Sequence, residues 1–211
     1  MWVLKKARKG NAYKFHTTES IFRTETELMS KSLDLHTENG QSFLGNVAWR
    51  IDRLQGRNRR FYAEVKIPHS QEQIWQVLTN YEALPEFIIN FQQIQRLDHP
   101  TGNIRIEKIM TKKFMGMEFQ ARMVSDMEEH YPHEVCEKLV EGDFQSYCGY
   151  WRLNPWVQSD GKVGVNLVYD LLVCPKRIYP LPLFEHILSK DLPNDILAVC
   201  HRAELLFGRN S

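Results

Sequence analysis

From about residue 45 onward, apolar and polar residues alternate with a period of two. Val47, Trp49 and Ile51 are interleaved with Ala48, Arg50 and Asp52. After the turn-like stretch Gly56–Asn58, Phe61, Ala63, Val65 and Ile67 are interleaved with Tyr62, Glu64 and Lys66. Such alternation predicts a hairpin with one buried face. Ser70 and Gln73 have the spacing of a capping box, and Ile74, Trp75, Val77 and Leu78 form the apolar face of a short helix behind it. Asn80 is placed to cap a second short helix, which Pro85 kinks or restarts. Period two then returns. It runs through Ile104 and Ile106, through Met117, Phe119, Ala121 and Met123, and through His133–Val140. Phe144–Leu153 follows, with Gly142-Asp143 as the turn between those two, and then Val163–Val173, which stops at Pro175.

Beyond the proline-rich link 175–182 the period changes. Phe184, Ile187, Leu188, Leu192, Ile196, Val199, Cys200, Ala203 and Leu206 recur at three and four, which predicts one long helix with a kink or restart at Pro193. The first forty residues show no sustained period and are expected to be a weakly ordered extension (1–40), with one folded domain over 41–211. Consecutive antiparallel strands with one face to cover predict an α+β fold. A curved sheet of about six to seven strands would wrap the C-terminal helix and leave an apolar gap beside it.

Composition narrows the function classes. The 211 residues carry 27 Lys/Arg against 26 Asp/Glu, without the basic excess expected of a nucleic-acid binder. No apolar run approaches membrane-spanning length, and the basic start MWVLKKARKG is not followed by the apolar core of a secretory signal. Four cysteines, at 136, 148, 174 and 200, form no CxxC pair and read as buried thiols of a reducing compartment. The expected location is the cytoplasm, with a plastid left open. His130 and His133 lie close together, but Pro132 between them suggests a turn, so no metal site is expected. No phosphate-cradling or nucleophile-elbow motif occurs, and no cofactor is implied. The polar groups suited to carbonyl chemistry are Arg152, Tyr150, Tyr169, Glu137 and His186. Strand parity turns Tyr169 inward with Leu167 and Leu171, and Arg152 outward unless a bulge reverses it.

Four stretches in order carry a family resemblance. They are Ile74–Glu82, then Phe87-Ile88-Ile89-Asn90, then Glu141-Gly142-Asp143-Phe144 running into Gly149-Tyr150-Trp151-Arg152-Leu153, and Leu167-Val168-Tyr169-Asp170-Leu171 leading to Pro175. Asp191-Leu192-Pro193, Ala198 and Ala203-Glu204 also fit. The chain over 59–206 resembles the START-like helix-grip (SRPBCC) superfamily, and most of all its polyketide cyclase/dehydrase and coenzyme Q-binding branch of the cyanobacterial and plant-plastid type. One departure is Ile89, where that family usually has proline. The resemblance implies a cavity for a lipid, prenylated quinone or polyketide-like molecule.

The residues expected to line it are Phe87, Ile106, Phe119, Trp151, Tyr169, Phe184, Ile187 and Val199. No catalytic residue is assigned. The expected function is carriage of a hydrophobic small molecule. The alternatives are a cyclase/dehydrase using the same cavity and an interaction module docking through its basic N-terminal region. Residues 1–60 hold 12 Lys/Arg against 6 Asp/Glu. Their arginines Arg57, Arg59 and Arg60, at the hairpin turn, either protect a sheet edge or make transient contact with an anionic membrane. Asp191-Leu192-Pro193 is either a tolerated kink or a hinge that admits ligand.

Overall fold

The computed structural model describes residues 47–114, 117–157, 161 and 163–208. The extension 1–40 lies outside them. Among the described residues, eight strands and two α-helices follow one another. β1 (Ala48–Arg53) and β2 (Arg59–Ile67) form the first hairpin, and α1 (Gln71–Thr79) leads through a 3-10 turn (Tyr81–Glu86) to β3 (Phe91–Leu97). β4 (Ile104–Phe114), β5 (Met117–His130), β6 (Glu134–Gly142), β7 (Phe144–Val157) and β8 (Val163–Pro175) form the meander, and α2 (Leu181–Phe207) ends the chain. The curved sheet is antiparallel throughout, in the order β1-β2-β8-β7-β6-β5-β4-β3. β8 closes back on β2, with Phe61 opposite Leu171 and Ala63 opposite Tyr169.

The sequence pattern maps directly onto this order. In β2, Phe61, Ala63, Val65 and Ile67 are all buried, while Tyr62, Glu64 and Lys66 are more open. The capping box forms as expected: Ser70 Oγ accepts from the Gln73 amide, and the Gln73 side chain accepts from the Ser70 amide. Asn80 behaves differently. Its side chain makes no cap bond, and its backbone carbonyl accepts from the Ala83 amide instead.

The sheet has one strand more than the alternation suggested. β3 reads FQQIQRL, and only Ile94 in it is buried. An edge strand with so few apolar positions carries no period-two signal. α2 passes through Pro193 as a single uninterrupted helix, and Asn194 donates its side-chain amide to the Lys190 carbonyl one turn back. The ring removes the amide that would have bonded to the Ser189 carbonyl, but the flanking turns hold the helix together.

Two glycines fix local geometry. Gly142 has φ of +145°, and a Cβ there would lie 2.5 Å from the Arg122 carbonyl oxygen. The tight corner lets Asp143 bind β5 twice, its amide donating to the Arg122 carbonyl and its carboxylate accepting from the Arg122 amide. At Gly149 the bare backbone leaves room for Tyr169, whose hydroxyl would sit 3.4 Å from an added Cβ.

Candidate functional site

Between the sheet and α2 lies a cavity of about 320 Å³. Inward-facing residues of β4 to β8 line it. β4 contributes Ile106, Lys108, Met110 and Lys112; β5 contributes Phe119, Ala121 and Met127; β6 contributes Val135 and Glu137. β7 adds Tyr147 and Trp151, and β8 adds Tyr169, Leu171 and Val173. The helix closes the space with one stripe, Phe184, Ile187, Leu188, Asp191, Leu192 and Asp195. Ile88 and Asn90 reach it from the loop before β3, while Ile178, an exposed side chain in the link before α2, sits at the rim.

Six of the eight residues expected at a cavity share this one: Ile106, Phe119, Trp151, Tyr169, Phe184 and Ile187. Two do not. Val199 is 0% exposed and lies one turn beyond Asp195, where α2 meets the closed core with Ile196, Cys200 and Ala203. Phe87 is half-buried outside the cavity, with the Arg202 guanidinium 5.4 Å from its ring centre. The neighbouring Ile89 is exposed, so the departure from the family's proline falls on a solvent-facing loop position.

The polar candidates separate by face. Arg152 points away from the cavity, as parity indicated, and binds Glu134 at 2.7 Å and Asp170 at 3.3 Å. Tyr150 lies beneath the Arg152 guanidinium, 4.8 Å from its ring centre. His186 is half-buried on α2 outside the lining. Tyr169 and Glu137 face inward. Tyr169 stacks on Trp151 with ring centres 4.1 Å apart, and its hydroxyl lies 2.7 Å from that of Tyr147. Burial holds both phenols well above their ordinary pKa, so both keep their protons.

Besides Glu137, the lining contains charges that the sequence pattern did not place there: Lys108, Lys112, Asp191 and Asp195. Lys108 is only 4% exposed and Glu137 7%, and their Nζ and Oε1 lie 2.5 Å apart. Lys112 on β4 pairs with Asp191 on α2, bridging sheet and helix across the cavity. Asp195 is 9% exposed. Burial, with the Asp191 charge beside it, pushes its carboxyl up to about 8, against the pull of Lys112, Lys108 and a hydrogen bond from Asn90. At neutral pH this carboxyl is mostly protonated and is a hydrogen-bond donor. The signals for these groups were present. Lys108 and Lys112 share the parity of Ile106 along β4, and Asp191 and Asp195 continue the three-four spacing from Phe184 and Leu188. Counting only apolar residues on each face passed over them.

Arg57, Arg59 and Arg60 are engaged within the molecule. Arg57 donates to the carbonyls of Pro175, Lys176 and Tyr179, in the link that forms the rim. Arg59 is 6% exposed, and its Nε lies 2.5 Å from Glu185 Oε1 on the first turns of α2. Arg60 makes a bidentate pair with Asp170, both contacts 2.8 Å. Arg53 also reaches Glu185 at 2.7 Å. Burial opposes ionisation of Glu185, but the bonds from Arg53 and Arg59 outweigh it and hold the carboxyl below its usual range. The hairpin turn thus ties down the rim link and the start of α2.

Among the described residues, no three His, Cys, Asp or Glu side chains are arranged to hold a metal ion. His130 lies 3.1 Å from Glu128, and His133 lies 3.0 Å from the Gln71 amide. No described helix is long and apolar enough to cross a membrane.

Comparison with known proteins places the chain. The family described as polyketide cyclase / dehydrase and lipid transport matches residues 67–184. No curated protein sequence matches. Among solved structures, a START superfamily protein from Mycobacterium smegmatis shares 18% identity and a TM-score of 0.56, covering 70% of this chain and 98% of its own. A STAR-related lipid transfer protein from Xanthomonas axonopodis shares 13% identity and a TM-score of 0.58, covering 80% and 97%. The Zhui aromatase/cyclase from a Streptomyces species shares 14% identity and a TM-score of 0.52, covering 70% and 94%. At these identities the likeness is one of fold.

Proposed function

The chain belongs to the polyketide cyclase / dehydrase and lipid transport family, and from that premise we propose that it binds and carries a hydrophobic small molecule between sheet and α2. The class is a lipid, prenylated quinone or polyketide-like compound. One observation carries this reading: five successive strands and α2 turn their inward residues onto a single cavity of about 320 Å³. Ligand pockets of characterised proteins fall at and above this size, about 300–1,000 Å³. Native mass spectrometry of the purified chain, followed by organic extraction, tests it. The expected result is a one-to-one complex releasing an apolar compound. A chain that carries no ligand and takes none up from a lipid extract would contradict it.

A cyclase or dehydrase is the second reading, favoured by Asp195 in the cavity wall, a carboxyl still protonated near neutral pH. Such a group can donate a proton to a carbonyl oxygen as its charge develops. Turnover of an aromatic polyketide that is lost in Asp195→Asn, with binding retained, would select it over carriage.

A further inference from the structure

The polar groups of the cavity go further and indicate which ligand chemistry it admits. Among the described residues of its lining, the cations are Lys108 and Lys112, and each is already matched by a carboxylate. Lys108 sits against Glu137, and no hydrogen bond from a third group shares Glu137 Oε1. Lys112 is held by Asp191. The remaining ionisable acid, Asp195, adds either nothing or a further negative charge. A carboxylate or phosphate entering this space would find no unmatched cation. It would have to take Lys108 from Glu137 and leave that carboxylate buried alone, which is strongly unfavourable.

A neutral oxygen meets the opposite situation. The Tyr147 and Tyr169 hydroxyls carry two protons but need only one for the bond between them, so the second can be donated to a ligand. The protonated Asp195 offers another. We infer that the cavity selects uncharged, oxygen-bearing lipophiles, such as ketones, quinones and alcohols, and rejects lipids with an anionic head. The inference rests on the ligand-binding reading above and narrows its substrate class.

Competition for a neutral polarity-sensitive dye, Nile red, on the full chain at pH 7.4 tests it. Three competitors of similar chain length serve: 2-tridecanone, 1-dodecanol and dodecanoate. The ketone and alcohol are expected to displace the dye at concentrations about tenfold or more below dodecanoate, the size of one unmatched charge-assisted bond. Dodecanoate displacing as well as the neutral pair would overturn the class inference and leave cavity binding standing. Failure of the dye to bind, or of every competitor to displace it, would overturn both. Glu137→Gln supplies the converse, since it leaves Lys108 unmatched; Asp191→Asn does the same for Lys112 if the first variant fails to fold. Dodecanoate should gain about tenfold in the variant. Unchanged dodecanoate affinity in whichever variant folds would remove the ion pairs as the source of selectivity.

Discussion

Asp195 shows how one buried group ties the cavity to the stability of the whole chain. In the unfolded chain its carboxyl has the ordinary value near 3.9, and in the fold burial raises it to about 8. Between those values the folded state binds the extra proton, so stability falls as pH rises through that window. Asp191 on α2, Lys108 and Lys112 on β4 and Asn90 on the loop before β3 act on it, and the Tyr147 and Tyr169 phenols on β7 and β8 feel its charge. Asp195→Asn should remove the dependence. The variant is expected to match the parent near pH 4 and to exceed it at pH 9 by about 2–5 kcal/mol in urea denaturation. A parent-to-variant difference that stays flat with pH would contradict a protonated Asp195. Asp126 and Asp170 act with the opposite sign. Hydrogen bonds from Arg105 and Arg60 respectively lead in lowering them, so their contributions are lost only on acidification below the ordinary carboxylate range. Two further side chains separate cavity from core. Ala121 lines the cavity and Val199 does not. Ala121→Phe should therefore fill space and lower dye affinity with the fold intact. Val199→Phe should overpack the core and cost about 1–3 kcal/mol. Calorimetry with a parallel dye titration distinguishes them; the reverse assignment would move the cavity toward the C-terminal half of α2.

At the scale of elements, ion pairs tie α2 down at its start, near its middle and, through Arg202 and Glu86 at 2.7 Å, near its end. Near its middle, Lys112 bridges from β4 to Asp191. At its start, Glu185 is gripped by Arg59 and Arg53, while Arg57 binds three carbonyls of the preceding link. Arg59 is the buried member and Arg53 the exposed one, so the energy lies mainly with Arg59. Glu185→Gln weakens a charge-assisted bond to a buried guanidinium and should cost about 1.5–3 kcal/mol. Hydrogen exchange should rise first in residues 176–188 rather than in the sheet. Uniform loss of protection would mean the clamp supports the fold at large, with no particular hold on the rim. At Pro193, where the sequence suggested a kink or a restart, the helix does not restart, and Asp191 and Asp195 flank the proline on the cavity stripe.

For the molecule as a whole, the fold was legible wherever burial and alternation coincide. β2, β5 and β8 declare themselves through inward Val, Ile, Leu, Phe and Tyr, and α2 through its three-four spacing. β3 was hidden because a polar edge strand buries only Ile94. The site was half legible for a related reason. Its apolar wall follows the same patterns as the core, and those patterns cannot separate a residue facing an opening from one facing its neighbour. Val199 and Ile187 belong to one three-four run in sequence, yet only the second meets the cavity. The buried charges were hidden by the same habit of reading polar residues as solvent-facing. Lys108 breaks it because Glu137 stands across β5 to receive it, a pairing between strands 29 positions apart in the chain that no local pattern encodes. Trp151, stacked on Tyr169 within the lining, offers the most direct test that a hydrophobic molecule occupies this space. Tryptophan fluorescence is followed while a bromine-labelled 2-tridecanone is added, since bromine quenches only on contact. The predicted result is saturable quenching in the parent chain that disappears in Trp151→Phe while Nile red affinity is kept. Quenching of equal depth in Trp151→Phe, or quenching that never saturates, would contradict a bound ligand between the sheet and α2.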